Sequence, residues 1–137
     1  MTDLKQLALR DLQPSQLYIS AKKLAAVWAW LDPADLGIFE PLPVKLLDGL
    51  PVLTDGHTRA VAALLAGLEK VPLVWDEDDL DWELYRRCVA ACREQGIISP
   101  AALTERIITA EEYKVKWDGW CDALHARLEQ ERSREQA

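Results

Sequence analysis

The stretch that decides the fold is Leu53-Thr54-Asp55-Gly56-His57-Thr58-Arg59-Ala60-Val61-Ala62-Ala63. Before it, Val44-Lys45-Leu46-Leu47 and the run Leu50 to Thr54 are short apolar segments joined by Asp48-Gly49. Asp and Gly both tolerate the positive φ of a type I′ turn, so the pattern predicts a β-hairpin. Asp55-Gly56 then opens a helix predicted from about His57 to Ala66, and Gly67 stops it with a left-handed cap. Val71-Pro72-Leu73-Val74-Trp75 reads as a strand, with proline near its start where a missing donor is tolerated. Strand, turn, strand, helix, strand is the expected central unit.

Working outward, Leu7 to Ile19 reads as a lead-in with a short strand at Leu17-Tyr18-Ile19. Ser20 offers an N-cap for a helix to about Leu31, with Leu24, Val27, Trp28 and Leu31 on one face, and Asp32-Pro33 ends it. On the other side, Leu80, Leu84, Cys88 and Cys92 recur every four residues and predict a helix up to Gly96. Ser99-Pro100 predicts a short helix to about Ile107. Thr109 with Glu112 fits a capping box for a last helix through Leu128, burying Tyr113, Trp117, Trp120, Cys121, Leu124 and Leu128. The charged tail Glu129 to Ala137 is expected to fray. The expected fold class is α/β, with α+β as its variant: a small mixed sheet covered by helices, with a helical C-terminal half. Residues 1–137 are expected to form one domain, with a core over 17–75 and a helical extension over 79–130.

A chain of 137 residues has enough length to bury a core without metals or disulfides. Its apolar share of 50% and charged share of 28% are those of a globular protein. The net charge of −7 repels a phosphate backbone and argues against general nucleic-acid binding. The longest apolar runs, such as Leu24 to Leu31, fall far short of the ~20 residues of a membrane span. Met1 to Arg10 mixes charges and shows no signal peptide. Three cysteines, an odd number, favour reduced thiols and a cytoplasmic address.

Asp55 to Arg59 lies where a strand runs into a helix N-terminus. Free N–H groups and the helix dipole converge there and suit a phosphate or carboxylate. Gly56 permits close backbone approach, and His57 and Thr58 add side-chain donors. Arg59 opposes the dipole from within the first turn, a placement that an anionic ligand would explain. A plainer account is also open: Asp55 caps the helix by accepting from His57 or Thr58, and Arg59 pairs with Asp55 or a neighbouring carboxylate.

The run Leu53 to Ala63, followed by Gly67-Leu68 and Val71-Pro72-Leu73, resembles the signature of the ParB/sulfiredoxin superfamily. Its members share a strand, a Gly-x-x-Arg loop, an alanine-rich helix and a strand with Val-Pro, and the resemblance spans about Val44 to Trp75. It implies a loop that cradles nucleotide phosphates, as in ParB-type CTPases, sulfiredoxins and archaeal free-serine kinases. Gly56 and Arg59 would touch the phosphates, with Asp55, His57 and Thr58 alongside, and magnesium is the implied companion of the nucleotide. The chain departs from the pattern in several places. His57 stands where sulfiredoxins have cysteine, which argues against peroxiredoxin repair. The ParB box Glu-Asn-x-x-Arg meets Glu83-Leu84-Tyr85-Arg86-Arg87, with Leu84 in place of asparagine. The early arginine of ParB has only Lys22 and Lys23 near its place. The serine kinases share the Asp-Gly-His-x-Arg pattern, but their activating acidic residues find no match. No room remains for a ParB helix-turn-helix, so the resemblance is to a stand-alone domain.

Three other groups carry possible chemistry. Cys88 and Cys92, with Cys121 and His125, place soft ligands one turn apart on two helices; the adopted reading is buried packing without metal. The run Asp76-Glu77-Asp78-Asp79, with Asp81 and Glu83, suits either a divalent ion or, as preferred here, a solvated helix start. Of six tryptophans, Trp28, Trp117 and Trp120 are expected in the core, while Trp30, Trp75 and Trp82 are candidates for a pocket or a partner surface. The expected function is phosphate or nucleotide binding, with NTPase or phosphotransferase activity as its enzymatic form. The alternative is a catalytically inert protein-interaction domain of the same fold.

Overall fold

The computed structural model describes residues 2–136. After two single 3-10 turns, Leu4–Gln6 and Leu9–Asp11, the chain enters β1 (Ile19–Ser20) and α1 (Ala21–Trp28). Ser20 caps α1, its hydroxyl accepting from the Lys23 N–H at 3.3 Å. β2 (Leu42–Leu47) and β3 (Leu50–Leu53) form the hairpin, with Asp48 at φ 52 and Gly49 at φ 82. Both turn residues thus take the positive φ that Asp-Gly suits. α2 (His57–Leu65) follows and leads to β4 (Leu73–Trp75).

β2 is the central strand of this sheet. It runs antiparallel to β3, with Val44 opposite Leu53, and parallel to β4, with Leu42 opposite Leu73. The helical half comprises α3 (Trp82–Glu94), a 3-10 segment Pro100–Glu105, β5 (Ile107–Ile108), α4 (Ala110–Tyr113) and α5 (Gly119–Gln136). A π turn, Lys114–Asp118, joins α4 to α5. The mixed α/β architecture with a helical C-terminal half is therefore as expected. No helix among the described residues is long and apolar enough to cross a membrane.

Helix α2 explains its own composition. Ala60, Val61, Ala62 and Ala63 are all fully buried. Val61 and Ala62 belong to a core shared with Leu17, Ile19, Cys92 and Leu124. Ala60 and Ala63 belong to a second core with Leu12, Leu42, Val44 and Leu53. Four consecutive buried residues point round most of a helical turn, so neighbours must cover this part of α2 from several sides, while Leu65 at its end is 51% exposed. Alanine lets both layers approach closely.

Several elements differ from expectation. The lead-in is part of the core: Leu9 and Leu12 are buried, and Gln13 extends the sheet. Its N–H donates to Pro51 O at 2.9 Å and its carbonyl accepts from Leu53 N at 2.8 Å. The first strand begins at Ile19 rather than Leu17 and pairs in parallel with Ile107-Ile108, so Ile107 belongs to a strand and not to the end of a helix. α1 stops at Trp28, and that tryptophan is 41% exposed rather than in the core. Trp117 is buried, whereas Trp120 is only partly covered and stacks on it at 5.4 Å. Among the described residues α5 continues past Leu128 to Gln136, where Arg87 reaches Glu131 at 2.6 Å and Arg132 reaches Asp81 at 2.9 Å; Ala137 lies outside the described residues.

Candidate functional site

Between β3 and α2 the backbone turns sharply at Gly56, whose φ is +76. Gly56 is also the N-cap of α2, and no side chain caps the helix. Asp55 does not act as the cap, because its Oδ1 accepts from the Gly56 N–H at 2.8 Å instead. The first N–H groups of an α-helix have no intrahelical partners, so those of His57, Thr58 and Arg59 point out of the helix end as donors.

These donors face a cavity of about 410 Å³. Gly56, Thr58 and Arg59 line it from the loop, Lys23 and Trp30 from α1 and the turn after it, and Tyr113 from the end of α4. Two cations therefore flank the helix N-terminus, and neither forms an ion pair among the described residues. Lys23 Nζ lies 4.7 Å from the centre of the Tyr113 ring. Arg59 donates to the backbone carbonyl of Glu40 and lies 6.0 Å from the Phe39 ring, so the expected pairing with a carboxylate is absent. The carboxylates of Glu40 and Asp55 also border the cavity, from exposed positions. They temper its positive charge without neutralising either cation by contact.

His57 takes a different place from the one expected of an exposed donor. It is 4% exposed, and its Nε2 accepts from the Ser15 N–H at 3.0 Å. Burial pushes its pKa down to about 4, against the opposing pull of the Asp55 charge. At neutral pH the ring is uncharged, and with Nε2 accepting, the proton resides on Nδ1. His57 thus ties the lead-in to α2.

The other candidate groups go elsewhere. Glu83 and Arg87 pair with each other at 3.3 Å, and Arg87 binds Glu131, so this box serves the α3–α5 contact and does not line the cavity. The acidic run divides its work. Asp81 caps α3 by accepting from Leu84 N at 3.2 Å, which is the helix-start role anticipated for the run. Asp76 accepts from the Thr54 hydroxyl at 2.6 Å. Asp76, Glu77 and Asp78 border a separate cavity of about 490 Å³ that meets the first one at Asp55. Among the described residues, no group of three or more His, Cys, Asp and Glu side chains is placed to hold a metal ion. Cys88 and Cys92 are buried, and burial pushes both thiols up to about 12.

The sequence singled out Asp55, Gly56, His57, Thr58 and Arg59, and all five border the cavity. It placed Trp30 as a pocket candidate, and that ring is in the wall. Tyr113 is buried in the core as expected, and its hydroxyl in addition meets Gln16 Nε2 at 3.1 Å beside the cavity. The signal that would have found it is its polar tip, which a buried tyrosine must satisfy. No protein-family model, no curated protein and no solved structure matches this chain.

Proposed function

We propose that this chain is a ParB/sulfiredoxin-like domain that binds a phosphate-bearing ligand, a nucleotide among the candidates, at the N-terminus of α2. The observation that carries the proposal is the pair of cations, Lys23 and Arg59, standing without ion-pair partners beside an uncapped helix N-terminus. Unpaired N–H groups and fixed positive charge converging on one space favour an anion. Gly56 gives the ligand access to the backbone, Thr58 contributes a hydroxyl donor, and Trp30 offers a face for a ring. Lys23 supplies a cation near the place where ParB proteins bring an early arginine. The strand, Gly-x-x-Arg loop, buried alanine-rich helix and following strand support the family assignment. The free thiols of Cys88, Cys92 and Cys121 support a reducing, cytoplasmic setting. Phosphoryl transfer is the enzymatic extension, with magnesium brought by the nucleotide itself.

A second reading, an inert protein-interaction module, is favoured by a separate observation. Trp28, Trp30 and Ile38 are 41%, 38% and 62% exposed around the end of α1. Exposed large apolar groups in proximity mark contact surfaces.

Thermal shift and calorimetry with inorganic phosphate, ADP, ATP, CTP and free serine, each with and without magnesium, separate the two. A ligand at ~100 times its dissociation constant adds about 2.7 kcal/mol to stability. The expected result is a shift with at least one phosphate-bearing ligand that Arg59→Ala or Lys23→Ala abolishes while the fold persists. Flat curves for every ligand would overturn the anion site and leave the interaction module.

A further inference from the structure

Behind His57 lies a second, smaller cavity. Its volume is about 180 Å³, and Ser15, Gln16, His57, Cys88, Trp117 and Cys121 line it. Gln16 and His57 line the outer cavity as well, so the two cavities meet at these side chains, while Thr54 and Tyr85 are shared with the acidic cavity on the other side. The space is partly open to the surface, so a ligand can enter it from beside the candidate site.

The chemistry of its wall limits that occupant. The thiols of Cys88 and Cys121 and the ring of Trp117 give a mostly apolar surface. The Ser15 hydroxyl is engaged, donating to Leu53 O at 2.8 Å. Gln16 Nε2 is engaged with Tyr18 O at 2.8 Å and with the Tyr113 hydroxyl at 3.1 Å. His57 differs. Its Nε2 is taken by Ser15, and Nδ1 has no protein partner. Every side-chain nitrogen or oxygen shut off from open space among the described residues is hydrogen-bonded. The free Nδ1–H therefore reaches cavity space, although the residue is only 4% exposed. A buried imidazole with an unused donor awaits an acceptor.

We infer that the two cavities form one bipartite site for an amphipathic anion, its charged end at the N-terminus of α2 and a small apolar group in the thiol-lined cavity, with an acceptor atom opposite His57 Nδ1–H. This inference rests on the anion site proposed above and adds the ligand's chemical class. An apolar cavity of about 150 Å³ takes a benzene ring, so the inner cavity has room for a single six-membered ring or a short alkyl group. Neither charge nor hydrogen bonding in the inner cavity favours a second ionic group.

The test compares inorganic phosphate with phenyl phosphate and benzyl phosphate by calorimetry on the wild-type chain and on Cys121→Met, which fills the inner cavity. At least one ester should bind the wild type about tenfold or more tighter than inorganic phosphate, since ring burial adds to a shared anion contact. In Cys121→Met that advantage should vanish. If phosphate binds and the ring adds nothing, or if the advantage survives in Cys121→Met, the inner cavity is not part of the site and the inference falls while the anion site stands. If neither phosphate nor the esters bind, the anion site itself fails and the inference with it. A second readout needs no variant: saturating phenyl phosphate should slow alkylation of Cys121 in the wild type at least about fivefold, as a ring covering the thiol would require. An unchanged rate would also overturn the inference.

Discussion

The guanidinium of Arg59 lies against Gly56, so close that a β-carbon built on the glycine would sit 2.7 Å from Arg59 Nη2 and 2.7 Å from Leu42 Cδ2. Gly56 also holds a φ of +76, a conformation that costs an L-residue about 1–2 kcal/mol. Leu42 is fully buried and has no free direction in which to yield. Gly56→Ala should therefore lower stability by about 2–4 kcal/mol, strain and overpacking together. It should also displace Arg59 from the cavity. Urea unfolding checks the first effect. A drop in phosphate affinity beyond that of Arg59→Ala alone checks the backbone's share.

His57 should make stability depend on pH in a definite direction. Folded, it takes up its proton only near pH 4, whereas unfolded it does so near 6.5. In that window the unfolded chain binds more protons than the folded one. The stabilisation by neutral His57 is complete above pH 6.5 and is lost as pH falls toward 4, about 3 kcal/mol in all. Asp81, Glu112 and Glu131 have carboxyls held below their usual range by hydrogen bonds, from Arg132, Thr109 and Arg87 in turn, and they add losses of the same sign at lower pH. His57→Gln, whose amide oxygen reaches the place of Nε2 and can still accept from Ser15, removes the histidine part alone. Urea midpoints of the two proteins at pH 7 and pH 4.5 should converge as pH falls. Parallel curves would mean that His57 is not buried as described.

Leu12 should behave as a core residue, although it lies in a segment with no sequence periodicity. It is fully buried with Leu9, Leu42 and Leu53. Leu12→Ala should cost about 2–5 kcal/mol, the range for a leucine whose site only partly collapses. A loss under ~1 kcal/mol would show the lead-in to be dispensable.

The end of α5 should be held by charge. Arg87 and Glu131, with Arg132 and Asp81, link it to α3. Beyond Leu128 no residue of the helix is buried. Amide exchange over residues 129–136 should be slower than in an isolated helix end, and it should speed up in 1 M salt or in Arg132→Ala. Protection that survives both changes would point to packing instead.

The central unit was legible because its signals are local. Asp48-Gly49 specifies a turn, Gly67 a left-handed stop, and Ala60 to Ala63 a helix that tolerates close neighbours. Ser20, Asp81 and the Thr109–Glu112 pair announced helix starts through side chains three residues from the amides they cap. What escaped was settled over distance. The pairing of Ile19 with Ile107 joins segments with no mutual signature, and Gln13 bonds β3 although its neighbours read as loop. The loop residues were legible as a group, but not the burial of His57 or Arg59's lack of an ion pair among the described residues. Both depend on where the lead-in and the turn after α1 come to rest.

The π turn at Lys114–Asp118 bonds each amide one residue further back than an α-helix does, so it takes up one extra residue without lengthening the chain's path by a full turn. Upstream of it Tyr113 walls the outer cavity. Within and beyond it, Trp117 and Cys121 wall the inner one. The turn thus sets the phase between two stretches of helix. Deleting one residue from 114 to 116 would let the segment wind as a plain α-helix with Cys121, Leu124 and Leu128 still on the faces they hold, whereas straightening the π turn with every residue kept would rotate everything after it by about 100°, the angle of one α-helical step. In that second case Leu124 and Leu128 would swing off the core together with Cys121. Homologous chains that keep both cavities should therefore carry either this turn or a plain helix one residue shorter, even where the residues differ.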